Sequence, residues 1–335
     1  AIWACFRVFS LVLSSGLRVV KFLRNKFNGL GGPANCGAGD VVLLIDASWN
    51  DQCFDVYGRA RENGALIVVV AHDVIPLSRP EFFADILVRD FSRWFEWAVN
   101  STDGIIGVSK RTANQVIRYM PDYLHTDVRP WVDYSYNGEG LPASDDEQAQ
   151  TLDGVFAAGD GRRYLSVGTL EPRKNHVYIL DAFDLAWRSG VNVKLILVGK
   201  QGWRCADLLE RINSHQQLGK NLIWMSEVND AELHTLYSKV DELIMASFDE
   251  GFGLPIVESL SRKTPVLAAD IEVFREFGSD GIRFFDLNSP SELASLLTTR
   301  NQPTVPDDWT WPNWAESTRM LFEKVIDHSN APRNA

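Results

Sequence analysis

Glu242-Leu243-Ile244-Met245-Ala246-Ser247-Phe248-Asp249-Glu250-Gly251-Phe252-Gly253-Leu254-Pro255-Ile256-Val257-Glu258 reads as a strand, a glycine turn and the opening of a helix. The run 242–247 has the length and apolar density of a buried strand, and Pro255 suits the first turn of a helix. Gly251 and Gly253 let the backbone turn tightly and come close to a ligand. Backbone N–H groups at such a helix start carry partial positive charge, so Gly251, Phe252, Gly253 and Leu254 form a candidate anion site. Glu250 and Glu258, eight positions apart around that turn, cannot bind the anion themselves. They suit hydroxyl groups on either side of it. Hydroxyl, phosphate, hydroxyl is the outline of a nucleotide sugar. On this stretch alone, two solvated surface glutamates beside an ordinary turn explain the pattern equally well.

The rest of the chain shifts that balance. Its 335 residues are enough for two domains, and 45% hydrophobic with 23% charged residues matches a soluble globular protein. A net charge of −11 argues against nucleic acid as a partner. Cys5, Cys36, Cys53 and Cys205 form no CxxC pair and no cluster with histidine. They read as reduced thiols of a cytoplasmic protein, and no metal or other cofactor is expected.

No apolar span is long enough to cross a membrane. Residues 1–27 nevertheless carry Arg7, Arg18, Lys21, Arg24 and Lys26 and no acidic residue, interleaved with apolar positions. That spacing reads as a basic amphipathic helix. It either lies on an anionic membrane surface, making the protein peripheral on the inner face of the cell membrane, or packs on the core with its cations in water. The chain begins without methionine, as a fragment or processed chain would, and no secretory signal is read.

Alternating strands and helices fill both halves, which points to an α/β fold with parallel sheets and crossover helices. Strands are expected at 41–46, 65–70 and 104–109, with helices at 53–63 and 81–98, Glu81 lying at the start of the latter. Polar and turn-forming residues dominate 137–162, the expected interdomain connection. The second half restarts with strands at 164–168, 194–199, 222–225, 242–247 and 264–270 and helices at 175–188 and 230–239. The expected division is an amino-terminal domain over 1–150, a carboxy-terminal domain over 151–308 and a terminal helix over 309–328. In doubly wound domains ligands bind at the carboxyl ends of the strands, so two such domains are expected to face a central cleft.

Every chemistry-bearing motif falls at such a strand end. Gly168-Thr169-Leu170-Glu171-Pro172-Arg173-Lys174-Asn175 places adjacent cations after the first strand of the second half. Arg173 can fork onto phosphate oxygens and Lys174 adds a mobile charge, so both can stabilise a departing diphosphate. An exposed basic pair is the plainer alternative. His72-Asp73 follows the strand at 65–70; His72 could meet a sugar hydroxyl or phosphate, or be structural, with Asp73 capping a turn. Ser109-Lys110 offers further donors on the acceptor side, though helix capping by Ser109 explains that residue as well. Gly199 and Lys200 close another strand where a nucleoside could approach, and Val228 lies where a base could rest. A plain loop accounts for each of these.

At these residues the chain resembles GT-B-fold glycosyltransferases of the large retaining family numbered four. The resemblance rests on VGTLEPRKNH (167–176), DEGFGLPIVES (249–259) and PVLAADIEVFREF (265–277). HDVIP with GVSKRT resembles the amino-terminal domain of bacterial mannosyltransferases in that family, and WTWPNWAE (309–316) resembles its terminal helix, which packs back across the domain boundary. It implies two Rossmann-like domains and metal-independent transfer with retention at the anomeric carbon. Glu250 would contact the transferred sugar and Glu258 the ribose. The amides of Phe252, Gly253 and Leu254, with Arg173 and Lys174, would hold the diphosphate, and His72 would face the donor sugar. The implied donor is a nucleotide sugar, with mannose from GDP-mannose the favoured hexose. The implied acceptor is a glycan or polyprenyl-linked oligosaccharide in surface polysaccharide synthesis. Residues 1–40 lack the opening strand and glycine loop usual in the family. That departure motivates a rival reading, a catalytically inactive GT-B partner that binds a nucleotide sugar or another glycosyltransferase.

Overall fold

A computed structural model of the chain describes residues 11–12, 18–21, 36–45, 54–140, 152–156, 161–299 and 302–330. Contacts divide it into one unit comprising Ala1–Gly138 with Trp314–Ala335, and a second comprising Glu139–Asn313. Among the described residues no helix is long and apolar enough to cross a membrane.

The first unit holds strands β1 (Leu11–Val12), β2 (Arg18–Lys21), β3 (Asp40–Leu44), β4 (Leu66–Ala71), β5 (Gly104–Gly107) and β6 (Trp131–Tyr134) in sequential order. All neighbours pair in parallel except β1 with β2. Val41, Val42, Ile67, Val68 and Val69 are fully buried, because a parallel sheet is covered on both faces. Helices α1 (Phe54–Glu62), α2 (Ile75–Ser78), α3 (Asp85–Ser101) and α4 (Lys110–Tyr119) connect the strands. The α3 residues Phe91, Trp94 and Phe95 pack with Val42, Ile67 and Val69 in one core.

Two expectations are corrected here. The amphipathic-helix reading of residues 1–27 fails at both described stretches, where Leu11–Val12 and Arg18–Lys21 are strands. Val19 and Val20 are β-branched and sit in parallel register with Val41 and Val42, so a sheet neighbour overrides the helical spacing. The rest of residues 1–27, the glycines of 29–33, and Cys5 and Cys53 lie outside the described residues. The helix expected from 81 starts instead at Asp85, after a separate 3-10 turn at Pro80–Phe82 in which Arg79 donates to Glu81 at 2.7 Å.

The second unit opens with α5 (Asp153–Phe156), which lies within the polar connection, and then alternates regularly. Its strands are β7 (Arg162–Val167), β8 (Val193–Val198), β9 (Leu222–Met225), β10 (Glu242–Met245), β11 (Val266–Ala269) and β12 (Ile282–Phe285). Between and after them come α6 (His176–Arg188), α7 (Ala206–Asn213), α8 (Asp230–Lys239), α9 (Leu254–Ser261), α10 (Glu272–Arg275) and α11 (Pro290–Thr298). The order β12-β11-β10-β7-β8-β9 is all parallel and reverses direction between β7 and β10. That is the topological switch point of a doubly wound sheet, where loops diverge and leave room for a ligand. Cys36 and Cys205 are buried free thiols.

The terminal helix α12 (Trp314–Asn330) belongs to the first unit. His328 stacks on Trp131 with ring centroids 4.1 Å apart, and Lys324 donates to Asp133 at 2.7 Å.

Candidate active site

The loops leaving β7 and β10 meet at the switch point. Pro172–Lys174 form a 3-10 turn that ends at Asn175 in the left-handed region, with φ 56°. Phe248 N–H donates to the Arg173 carbonyl at 2.9 Å, which ties this turn to the loop after β10. Held in this way, the Arg173 and Lys174 side chains converge on Glu250. Arg173 Nη1 donates to Glu250 Oε2 at 2.6 Å and Lys174 Nζ to Oε1 at 2.6 Å. Ser247 Oγ adds a donor to Oε1 at 2.7 Å, and Arg173 Nη1 also reaches the Asp249 carbonyl at 2.8 Å. The other arm of the guanidinium, Nη2, donates to Glu171 Oε1 at 2.6 Å.

Glu171 and Glu250 are 4% and 6% exposed. Buried charges persist only when paired, and here two carboxylates meet two cations. Burial pushes the Glu250 carboxyl upward, but the charges of Lys174 and Arg173 and their hydrogen bonds outweigh it and hold the group at about 2. At neutral pH it is a carboxylate, an acceptor able to receive hydroxyl groups. Glu171 goes the other way: burial raises its carboxyl, with Arg173 and Lys174 opposing.

Glycines allow the close packing around this cluster. A Cβ on Gly199, after β8, would lie 1.9 Å from the Gly168 carbonyl oxygen, after β7, so the two loops approach backbone to backbone. Leu170 N–H donates to the Lys200 carbonyl at 2.9 Å, while the Lys200 side chain is exposed. Gly253 starts α9 with φ 115°, where a Cβ would press to 2.9 Å on Phe274. Gly251, Phe252, Gly253 and Leu254 thus lie at the start of α9, whose first N–H groups have no partner within the helix. Phe252 is held by Phe277 and Trp311, with ring centroids at 5.2 and 5.9 Å.

Glu258 lies on α9, and its Oε2 accepts from the Tyr237 hydroxyl at 2.8 Å. Burial raises the Glu258 carboxyl, against the Tyr237 hydrogen bond and the charge of Arg262. Val228 is half-buried in the loop between β9 and α8, two strands away from β7.

The remaining candidates belong to the first unit, at the carboxyl ends of β4 and β5. His72 is exposed, and its Nε2 lies 3.0 Å from the Ile45 carbonyl. A carbonyl only accepts, so Nε2 is the donating nitrogen of this contact. Asp73 Oδ1 accepts from Ile75 N–H at 3.0 Å, opening α2, and Lys110 is exposed. Ser109 is fully buried and caps α4, accepting from Thr112 N–H at 3.0 Å, which is the capping alternative.

Arg173, Lys174 and Glu250 therefore meet directly, and Gly168 and Gly199 touch. Reading the sequence missed Glu171, Ser247 and Tyr237. Glu171 stood inside the quoted motif, and an acidic residue two positions before a cation in one loop was its available signal. Tyr237 gave none, since it reaches Glu258 from another helix. Among the described residues, no group of three or more His, Cys, Asp or Glu side chains could hold a metal ion.

Two parallel-sheet α/β units, one carrying a charged cluster at its switch point, define the GT-B fold with Rossmann-like domains. Residues 151–299 match the family described as Glycosyl transferases group 1. The serotype-specific mannosyltransferase WbdA of Escherichia coli is 34% identical over 284 residues, an alignment covering 79% of this chain. The chain spans only 34% of that relative's length. The O-antigen chain mannosyltransferase B of Escherichia coli is 27% identical over 246 residues, covering 72% of this chain and 62% of the relative. Among solved structures, Anabaena HepE in complex with UDP superposes with a TM-score of 0.65 at 17% identity, covering 85% of this chain and 78% of HepE. Sucrose-phosphate synthase from Thermosynechococcus elongatus gives a TM-score of 0.63 at 17% identity, covering 86% and 73%.

Proposed function

We propose that this chain is a retaining, metal-independent glycosyltransferase of the family numbered four. In this reading it moves mannose from GDP-mannose to a glycan or polyprenyl-linked oligosaccharide of O-antigen type. The observation that carries the reading is the buried cluster in which Glu250 meets Arg173 and Lys174 at the β7–β10 switch point, beside the start of α9. The mannose assignment draws on the names of the relatives WbdA and mannosyltransferase B, and the acceptor class on the latter's name. Work at the inner face of the cell membrane follows from a lipid-linked acceptor.

In the proposed reaction the donor diphosphate displaces Glu250 from the two cations, and the freed carboxylate accepts hydrogen bonds from sugar hydroxyls. The bond between the anomeric carbon and the diphosphate oxygen breaks, and its electron pair stays on that oxygen. Arg173, Lys174 and the α9 amides stabilise the charge that grows there. The acceptor hydroxyl forms the new bond on the same face, and its proton passes to the departing diphosphate. Glu258 takes the ribose hydroxyls. His72, in the first unit, is read as a contact for a sugar hydroxyl, with Asp73 and Lys110 as acceptor-side candidates.

The test is product formation from a panel of nucleotide sugars with polyprenyl-linked acceptors, with anomeric configuration read by NMR. Transfer from GDP-mannose with retention is the expected result. Inversion, or binding of every donor without transfer, overturns the reading.

A further inference from the structure

Arg173 is held by two carboxylates, and only one of them is proposed to leave it when donor binds. We propose that Glu171 is a positioning residue that keeps the Arg173 guanidinium aimed at the donor diphosphate once Glu250 has turned to the sugar, an inference that rests on the function proposed above.

The geometry separates the two jobs. Nη1 of Arg173 carries the contacts to the β10 side, Glu250 and the Asp249 carbonyl, whereas Nη2 points to Glu171 at 2.6 Å. A guanidinium is a rigid planar fork, so fixing one arm fixes where the other points. The Glu171 side chain is 3% exposed, compared with 14% for Arg173, so it lies behind the cation rather than in the path of a ligand. Its backbone is fixed as well: Lys174 N–H donates to the Glu171 carbonyl at 3.1 Å, and Pro172 follows in the 3-10 turn. Burying a carboxylate against its own preference for neutrality has a cost, and among the described residues Arg173 supplies its ion pair, at 2.6 Å. Lys174, by contrast, pairs among the described residues with Glu250 alone, at 2.6 Å. When Glu250 withdraws, Lys174 is a mobile point charge, while Arg173 remains anchored.

The test is a double-mutant cycle read by calorimetric titration of the full chain with GDP and with UDP, beside turnover and thermal unfolding. Arg173→Ala and Glu171→Ala are each expected to weaken nucleotide binding by about tenfold, the scale of a charge-assisted contact. The double variant is expected to be no weaker than Arg173→Ala, because Glu171 acts through that side chain. Glu171→Gln, whose amide oxygen still accepts from Nη2, is expected to recover most of the affinity. A purely structural role would lower the unfolding temperature and give losses that add in the double variant, and that result overturns the inference. So does Glu171→Ala binding as tightly as the parent, or more tightly, since Glu171 would then compete with the diphosphate. A parent chain that binds neither nucleotide overturns the functional reading itself, and this inference with it.

Discussion

A carboxyl that is 6% exposed would ordinarily shed its charge, yet Glu250 keeps it because Lys174 and Arg173 each place a donor 2.6 Å away. Its carboxyl sits at about 2 in the fold against an ordinary 4.5. A depressed folded value contributes stability above the unfolded value and loses it as pH falls through the folded one. Glu250→Gln should therefore cost about 3 kcal/mol at neutral pH, with the deficit shrinking between about pH 4.5 and 2. Urea unfolding across that range checks it, and a deficit that does not change with pH would contradict the assignment. Glu258 has a neutral partner instead, so Tyr237→Phe should leave folding nearly intact and raise the donor KM severalfold, read in initial-rate assays. At this scale the sequence disclosed residues whose type and strand-end position coincide, namely Glu250, Arg173 and Lys174. Glu171, Ser247 and Tyr237 escaped because their roles depend on which side chain they touch. Local pattern does not encode that.

The elements deliver these side chains through backbone contacts more than through side-chain packing. Gly199 is the clearest case: alanine there would drive its Cβ to 1.9 Å from the Gly168 carbonyl, in a loop whose backbone is already at φ 157°. Gly199→Ala should destabilise by several kcal/mol, about the largest effect single substitutions produce, and should weaken nucleotide binding in step. Chemical denaturation with parallel titration measures both. On the outer side, α8 begins with a reciprocal capping box between Asn229 and Glu232, and Asn229→Ala should cost about 1 kcal/mol with no change in binding. Strands such as β8 and β10 were legible because they are buried on both faces and read as unbroken apolar runs. The strand Arg18–Lys21 was not, because its charged ends and basic neighbours mimic a helical face while its pairing with β3 is nonlocal.

For the whole molecule, the order of strands carries more information than their number. The sheet of the second unit reverses between β7 and β10, and the charged cluster occupies that reversal; among the described strands of the first unit the order is sequential. Alternation in the sequence announced parallel sheets but not this order, since pairing partners lie far apart along the chain. The chain leaves the first unit after Gly138 and returns at Trp314, where α12 covers Trp131 and Asp133. Removing residues 314–335 should therefore lower the unfolding temperature of the first unit's transition more than that of the second, as calorimetry would show. At the switch point, Glu250 is the side chain proposed to work on the donor sugar. Its most direct test is the single-turnover rate of sugar transfer at saturating GDP-mannose for Glu250→Ala against the parent, with circular dichroism verifying the fold. A rate at least about a hundredfold lower is expected; a folded variant that transfers sugar as fast as the parent would remove Glu250 from the reaction.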